Sequence, residues 1–189
     1  MDIKAYNVDE SRWDDLVELF GPSGTQRGCW CMFWRLANRD FVKNGNAENR
    51  AALREEVACG RPTGLLGYLD GAPVGWCSLS PRPSYQRVLR SKYLQPDEPE
   101  DRSVWSVPCF FSRRDTRGSG IAGAMLEAAV AHARDRGASV LEGYPVDTED
   151  GTRKGDIHSG TIGLFTRAGF AMHRRPPEGS RRVVMRKTL

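Results

Sequence analysis

A short segment in the second half of the chain combines glycine and arginine in a pattern that suits phosphate binding. Its residues are Arg117, Gly118, Ser119, Gly120, Ile121 and Ala122. The segment follows an apolar run and precedes an alanine-rich one, which predicts a strand-to-helix turn. Glycines let backbone approach a ligand closely, and the first N–H groups of a helix have no partner inside the helix. The pattern therefore predicts a cradle for a phosphate or pyrophosphate, with an ordinary glycine-rich turn as the alternative.

Two other phosphate-binding patterns do not fit this segment. It is not G-x-x-x-x-G-K-S/T, the phosphate loop of nucleotide hydrolases. It also lacks the first glycine of G-x-G-x-x-G, and no early strand precedes it as a dinucleotide-binding fold requires. Neither nucleotide hydrolysis nor dinucleotide binding is therefore indicated.

The elements that must position this cradle are predicted from hydrophobic periodicity and turn residues. Apolar residues recur at helical spacing around 13–20, and an aromatic-rich segment at 28–34 is predicted as a loop plus a short helix. Further helices are predicted at 47–58, 118–136 and 161–168, with one helical turn near 85–92. Strands are predicted at 2–8, 63–69, 72–79, 103–111, 139–144, 170–174 and 181–187.

The connections between these elements predict how the strands pair. Asp70 and Gly71 form a hairpin signal, so the strands on either side should be antiparallel. The fourth strand, the long helix at 118–136 and the fifth strand form a βαβ unit, so these two strands should be parallel. The predicted fold is α/β, with a mixed and mostly antiparallel central sheet, one parallel βαβ unit and helices on both faces.

Three motifs of the chain resemble those of the GNAT (GCN5-related N-acetyltransferase) family. The cradle matches the pattern Q/R-x-x-G-x-G/A, between the fourth strand and a long helix as in the family. Residues 164–170 are similar to the segment L-Y-x-K-x-G-F, and residues 70–75 are similar to the strand pair D-G-x-x-V-G. The resemblance covers the whole chain and is strongest over 104–170. It implies a single N-acetyltransferase domain at 1–189.

The resemblance implies that acetyl-CoA is the cofactor and CoA a product. In the family, the cradle N–H groups bind the pyrophosphate, which assigns that role to residues 117–122. The edge of the fourth strand holds the pantetheine arm like an added strand, which by position means Phe110, Phe111 and Ser112. A backbone N–H there polarises the thioester carbonyl. Phe165, at the family's tyrosine position, is assigned to the cofactor site. The implied reaction is direct acetyl transfer to a primary amine in a ternary complex.

The proton-transfer residues are less directly indicated, because Phe165 cannot donate a proton as the family's tyrosine often does. Glu142 is the candidate base. Tyr144 is two residues further along the same predicted strand, so both side chains should point to the same face of the sheet. A structural ion pair is the alternative for Glu142. Tyr144 is the candidate acid, with a half-buried aromatic as its alternative. His158 has a near-neutral pKa and is a third candidate, against an ordinary loop histidine.

Three aromatic residues are candidates for the wall of an acceptor pocket, because the family places acceptor contacts near the second helix. They are Trp30, Phe33 and Trp34. Simple core packing is the alternative for all three. The expected acceptor is the amine of a small molecule. A protein N-acetyltransferase and a non-catalytic acyl-CoA-binding sensor are the competing hypotheses, and a homodimer is left open.

Composition limits the remaining function classes. The 189 residues carry a net charge of +4, and the sequence pI is about 8.9. This excess is spread thinly and offset by acidic segments, so no nucleic-acid partner is expected. No apolar run has the length of a membrane span and no signal peptide is evident, so a cytoplasmic protein without a membrane partner is expected. The five cysteines do not indicate a disulfide framework or a metal site.

Overall fold

The structure, a computed structural model, describes residues 2–147, 158–176 and 181–189. The strands in these ranges are β1 (Lys4–Asn7), β2 (Gly64–Leu69), β3 (Ala72–Pro81), β4 (Val104–Ser112), β5 (Val140–Gly143), β6 (Ala171–Arg174) and β7 (Val184–Thr188). The helices are α1 (Trp13–Phe20), α2 (Met32–Arg35), α3 (Asn38–Lys43), α4 (Asn46–Ala58), α5 (Gln86–Leu89), α6 (Ile121–Asp135) and α7 (Ile162–Arg167). None of the helices in the described ranges has the length and apolar character needed to cross a bilayer.

The strands form one mixed sheet in the order β1-β2-β3-β4-β5-β7-β6. Only β4 and β5 are parallel among the described neighbours, and α6 joins them. The turn between β2 and β3 has positive φ at both Asp70 and Gly71, as the hairpin pattern requires. The predicted hairpin, the parallel βαβ unit and the mixed, mostly antiparallel sheet are therefore confirmed.

Helices cover both faces of the sheet, as predicted. On one face, which we call the α1 face, Leu16, Leu53 and Val88 from α1, α4 and α5 pack into one apolar core. On the opposite α6 face, Met125 and Phe165 from α6 and α7 belong to a second core. Because each core lies against the same sheet, residues that alternate along a strand reach different helices.

Helix α6 begins three residues later than the sequence pattern predicts. Its buried residues recur every three or four positions, as expected for a helix packed on a sheet: Ile121, Met125, Leu126, Ala129, Val130 and Ala133. The predicted range was 118–136, but Gly118 and Gly120 have φ of 83° and 85°, which is outside the helical region. These two glycines therefore form the turn before the helix and are not its first residues.

Two features of the fold have no counterpart in the sequence-based prediction. Helix α3 has no buried residue, so hydrophobic periodicity gives no signal for it. Strand β7 inserts between β5 and β6 and pairs antiparallel with both. This insertion brings the C-terminal strand beside β5, and so beside the candidate base.

Candidate active site

The two parallel strands separate near the middle of the sheet. They pair over four residues, with Val104 opposite Val140 and Val107 opposite Gly143. Strand β4 then continues to Ser112, whereas β5 ends at Gly143. The register between β3 and β4 also shifts at this level, which marks a bulge. We call the resulting opening between β4 and the end of β5 the split.

One edge of β4 directs backbone groups into the split. The N–H of Arg113 donates to the carbonyl of Val74 on β3 at 3.1 Å. In an antiparallel ladder only every second residue bonds to the same neighbour, so Phe110 and Ser112 direct their N–H and C=O groups away from β3. Phe111 instead pairs with β3. Two of the three predicted edge residues thus offer their backbone to a ligand that adds like a strand.

The predicted cradle lies between β4 and α6 and faces open space. A Cβ atom built on Gly118 or Gly120 would meet no atom within 4 Å. Within the described part of the chain, four of the six cradle N–H groups make no hydrogen bond: those of Gly118, Gly120, Ile121 and Ala122. The other two, of Arg117 and Ser119, donate to carbonyls of the preceding turn. The free N–H groups at the start of a 15-residue helix form a site for an anion.

Arginine side chains surround this cradle. Arg113 is held by Asp115 in an ion pair at 2.5 Å. Arg114 and Arg117 are exposed, and among the described residues neither has a carboxylate within ion-pair distance. These two guanidinium groups are therefore available to a polyanion such as a pyrophosphate, which they can bind through paired N–H donors.

A buried polar network lies at the end of β5, on the α1 face. Glu142 is only 2% exposed, and its Oε1 accepts hydrogen bonds from Arg82 at 3.3 Å and Arg186 at 2.6 Å. Its Oε2 accepts a hydrogen bond from the Tyr144 hydroxyl at 2.9 Å. The same hydroxyl lies 2.8 Å from the hydroxyl of Ser106 on β4. The predicted common face of Glu142 and Tyr144 is confirmed by their direct contact.

Tyr144 connects this network to the split. It follows the last residue of β5 and is fully buried, and its ring stacks on that of Trp34 with centroids 5.9 Å apart. Burial, followed by the negative charge of Glu142, raises the pKa of the Tyr144 hydroxyl well above its ordinary value. The phenol therefore remains protonated at neutral pH and can act as a hydrogen-bond and proton donor.

Phe165 lies on the opposite face of the sheet. Its ring packs edge-on against Phe110 at 6.1 Å and Phe170 at 5.0 Å between centroids. It also lies so close to Gly143 that a Cβ at that position would overlap the ring. Only glycine at 143 allows this approach, which places an apolar ring directly under the split. Phe165, which stands where the family often has a tyrosine, is thus a fully buried apolar side chain.

A cavity of about 630 Å³ opens on the α1 face, between α2, α3 and α5. Phe33 and Trp34 line it, as expected for an acceptor pocket. Trp30 does not line it, because its ring is buried between Trp13 and Phe20 in the core. Another cavity, of about 640 Å³, lies beside β1 and the β2–β3 turn and shares no lining residue with this one.

Two residues that line the cavity beside α2, Trp34 and Arg182, contact Tyr144. Arg182 also lines this cavity, and its Nη1 donates to the Tyr144 carbonyl at 3.4 Å. The guanidinium lies over the Trp34 ring, 5.1 Å from its centroid. His158, the third candidate for proton transfer, has its ring 6.4 Å from that of Phe33. Tyr144, Trp34 and His158 are therefore grouped around the residues of this cavity, while the predicted cradle lies at the N-terminus of α6.

Sequence reasoning missed the arginines of this site. Arg82 and Arg186 are 60 and 44 residues from Glu142, so no local pattern joins them. Pairing of β5 with β7 places Arg186 directly opposite Glu142, but that pairing depends on the strand order. Ser106 would have been found only from the parallel register of β4 with β5.

Comparison with known proteins identifies the family. A sequence profile of the acetyltransferase (GNAT) family matches residues 30–153, which is more than half of the chain. No curated protein sequence matches the chain. Among solved structures, PaiA N-acetyltransferase from Thermoplasma acidophilum in complex with coenzyme A is similar, with 11% identity, a TM-score of 0.56 and full coverage of both chains.

Two further solved structures share the fold. One, from Corynebacterium glutamicum, is described as histone acetyltransferase HPA2 and related acetyltransferase. Its sequence is 16% identical and its TM-score is 0.60, and the alignment covers 100% of this chain and 97% of that chain. The other is the ribosomal-protein-alanine N-acetyltransferase of Brucella melitensis, with 16% identity, a TM-score of 0.56 and coverage of 98% and 99%. These identities show a common fold, and the family profile adds the sequence match. The chain belongs to the GNAT family of acetyltransferases, which use acetyl-CoA as the acyl donor.

Proposed function

We propose that this protein transfers the acetyl group of acetyl-CoA to a primary amine of a small molecule, within one domain at 1–189. The observation that carries the proposal is the split, because the β4 edge borders it and Tyr144, at the end of β5, stacks on Trp34, which lines the cavity beside α2. Both substrates can therefore reach the split together, which supports direct attack in a ternary complex. Bound acetyl-CoA supplies a thioester, an acyl group already activated for attack by an amine.

The residues of the cradle and of β4 suit the shape and charge of acetyl-CoA. The free N–H groups of Gly118, Gly120, Ile121 and Ala122 would hold the pyrophosphate. Arg114 and Arg117 would add charge, and the backbone of Phe110 and Ser112 would pair with the pantetheine arm. One N–H on this edge would also stabilise negative charge that develops on the thioester oxygen.

We propose that Glu142 receives the amine proton through the Tyr144 hydroxyl. As the amine attacks, its N–H proton passes to the phenol oxygen, and the phenol proton passes to Oε2 of Glu142, 2.9 Å away. When the carbon–sulfur bond breaks, Tyr144 protonates the sulfur and regains a proton from Glu142. The net result is transfer of one proton from amine to thiol, which general acid–base catalysis requires. His158 is the alternative base, on the acceptor side.

The shape of the acceptor side favours a small molecule over a protein. The cavity volume lies within the range of small-ligand sites, and side chains of three helices bound it. A peptide acceptor would require room for extended backbone along this surface. The buried Tyr144–Glu142 pair beside the split favours catalysis over a non-catalytic acyl-CoA sensor.

A broad amine screen tests this function. The protein is incubated with acetyl-CoA and with primary amines or short peptides, released CoA is detected as free thiol, and the acetylated product is identified by mass spectrometry. We expect CoA release that depends on a small amine and matches the product formed. Acetylation of peptides alone would favour a protein N-acetyltransferase. Binding of acetyl-CoA without turnover of any acceptor would favour the sensor.

A further inference from the structure

The acceptor cavity carries an excess of positive charge. Its lining includes four arginines and one carboxylate: Arg39, Arg87, Arg90, Arg182 and Asp40. Arg39 is highly exposed and pairs with Asp40 at 3.2 Å. Among the described residues, the one carboxylate of the lining is thus already engaged with one of the four guanidinium groups, and these residues give the cavity a positive surface.

Arg87 is the most unusual of these arginines. It is half-buried, with its guanidinium 3.9 Å from the centroid of the Phe33 ring and 5.3 Å from that of Phe41. Its Nη2 donates to Oδ1 of Asn38 at 2.9 Å, but its buried Nε has no hydrogen-bond partner in the described part of the chain. Among the same residues, no carboxylate lies within 4.0 Å of this guanidinium. Within the described ranges, a cation therefore lies against aromatic rings without a carboxylate counter-ion.

Arg35 and Arg82 also have a buried Nε without a partner among the described residues, but each has a carboxylate as counter-ion. Arg35 lies 3.8 Å from Glu56, and Arg82 lies 3.3 Å from Glu142. A charge removed from water is costly unless it is paired and hydrogen-bonded. Burial accordingly lowers the pKa of Arg87, because desolvation disfavours its charged form. A ligand in the cavity can supply the counter-ion that Arg87 lacks among the described residues.

The position of Arg87 relates this charge to the reaction. Its guanidinium covers Phe33, whose ring is 5.3 Å from that of Trp34, and Trp34 stacks on Tyr144. An acceptor with its amine beside Tyr144 would therefore extend along Phe33 and Trp34 toward Arg87.

From this arrangement we infer that the acceptor carries a carboxylate or phosphate group in addition to its amine, and that Arg87 binds this anionic group. The inference rests on the proposed acetyl transfer at the split. Guanidinium groups bind carboxylate and phosphate oxygens through two parallel N–H bonds, and the guanidinium of Arg87 lines the cavity with no carboxylate within 4.0 Å among the described residues. Asn38 holds the other side of the guanidinium in place.

Matched acceptors test the inference. Phenylalanine is compared with phenylalaninamide, and phosphoethanolamine with ethanolamine, so that each pair differs in the anionic group. We expect kcat/KM to favour the anionic member of at least one pair by about 10- to 100-fold, the range for a hydrogen bond to a charged group. The pair that shows the preference distinguishes a carboxylate from a phosphate.

Variants assign the preference to Arg87. Arg87→Gln should abolish the difference in kcat/KM between the two members of a pair, and Arg87→Lys should keep part of it because it keeps the charge. Arg134→Gln is the matched control, since Arg134 is an exposed residue of α6 outside the cavity. The inference is overturned if neither pair shows a preference, or if the preference survives in Arg87→Gln.

A binding measurement separates this inference from the proposed function. Calorimetry with CoA present compares N-acetylphenylalanine with N-acetylphenylalaninamide and requires no turnover. If no amine is acetylated, the proposed function fails. Tighter binding of the acid that is lost in Arg87→Gln would still support the anion site. Equal binding of acid and amide in that case would exclude it.

Discussion

At the residue scale, Glu142 is the buried counter-ion of two arginines. We expect Glu142→Gln to lower the free energy of unfolding by about 3–5 kcal/mol, because it leaves Arg82 buried without a carboxylate. Urea denaturation followed by circular dichroism measures this loss. Unchanged stability would mean that the ion pairs contribute nothing, and that loss of activity in the variant reports on catalysis alone.

Tyr144→Phe tests proton transfer more cleanly, because it keeps the ring that stacks on Trp34. We expect kcat/KM for the amine to fall about 10²–10⁴-fold, the range for a positioned acid or base, with acetyl-CoA affinity nearly unchanged. The matched control is Tyr85→Phe, which removes another buried hydroxyl, one bonded to Ser78. Full activity in Tyr144→Phe would move the proton-transfer role to His158.

Part of this site could be predicted residue by residue. The two-residue spacing of Glu142 and Tyr144 was sufficient to place them on one face. The aromatic segment at 28–34 has no hydrophobic period, so its pattern could not distinguish Trp30 in the core from Phe33 and Trp34 in the cavity. The positive φ of Trp30 and Cys31 makes a tight turn there, and this turn determines which ring faces inward.

At the scale of elements, the turn between β4 and α6 is the central prediction. Acetyl-CoA at 100 times its Kd should stabilise the protein by about 2.7 kcal/mol, seen as a higher melting temperature. Gly120→Glu should abolish this shift, because its side chain and negative charge would enter the space left open at the cradle.

Gly137→Glu is the matched control for this variant. Gly137 has a φ of 79°, follows the other end of α6, and has no atom near a Cβ built on it. Both substitutions therefore add the same charge and a left-handed backbone strain of about 1–2 kcal/mol. Retention of the acetyl-CoA shift in Gly120→Glu, or its loss in both variants, would contradict the assignment of the cradle.

Element types were more predictable than element order. Strong local signals, such as Asp70–Gly71 and the periodic apolar positions of α6, gave the hairpin and the βαβ unit. The insertion of β7 between β5 and β6 depends on contacts between residues far apart in the chain, such as Glu142 with Arg186. For the same reason the cavity between α2, α3 and α5 could not be foreseen.

At the scale of the whole molecule, buried thiols and phenols predict sensitivity to alkali. Burial raises the pKa of Cys29 to about 11 and that of Cys77 to about 12, and it also raises the pKa of Tyr85 and Tyr144. On unfolding, the pKa of a thiol returns to about 8.5 and that of a phenol to about 10. The unfolded state then binds fewer protons than the folded state, so stability falls as pH rises above about 8.5.

Urea midpoints across this alkaline range measure the effect. The urea midpoint should fall most steeply between the ordinary and the raised pKa values. Cys77→Ala should make this fall smaller, because it removes one buried thiol. A midpoint that stays constant with rising pH would contradict the burial of these groups.

In the proposed function, the whole fold also determines how the two substrates meet, since acetyl-CoA would lie along β4 and the acceptor would approach the split from the side of Trp34 and Tyr144. Initial rates measured while acetyl-CoA and amine are varied together test this claim most directly. The account predicts intersecting double-reciprocal lines and CoA release only when amine is present. Parallel lines would indicate a covalent acetyl-enzyme and contradict direct transfer.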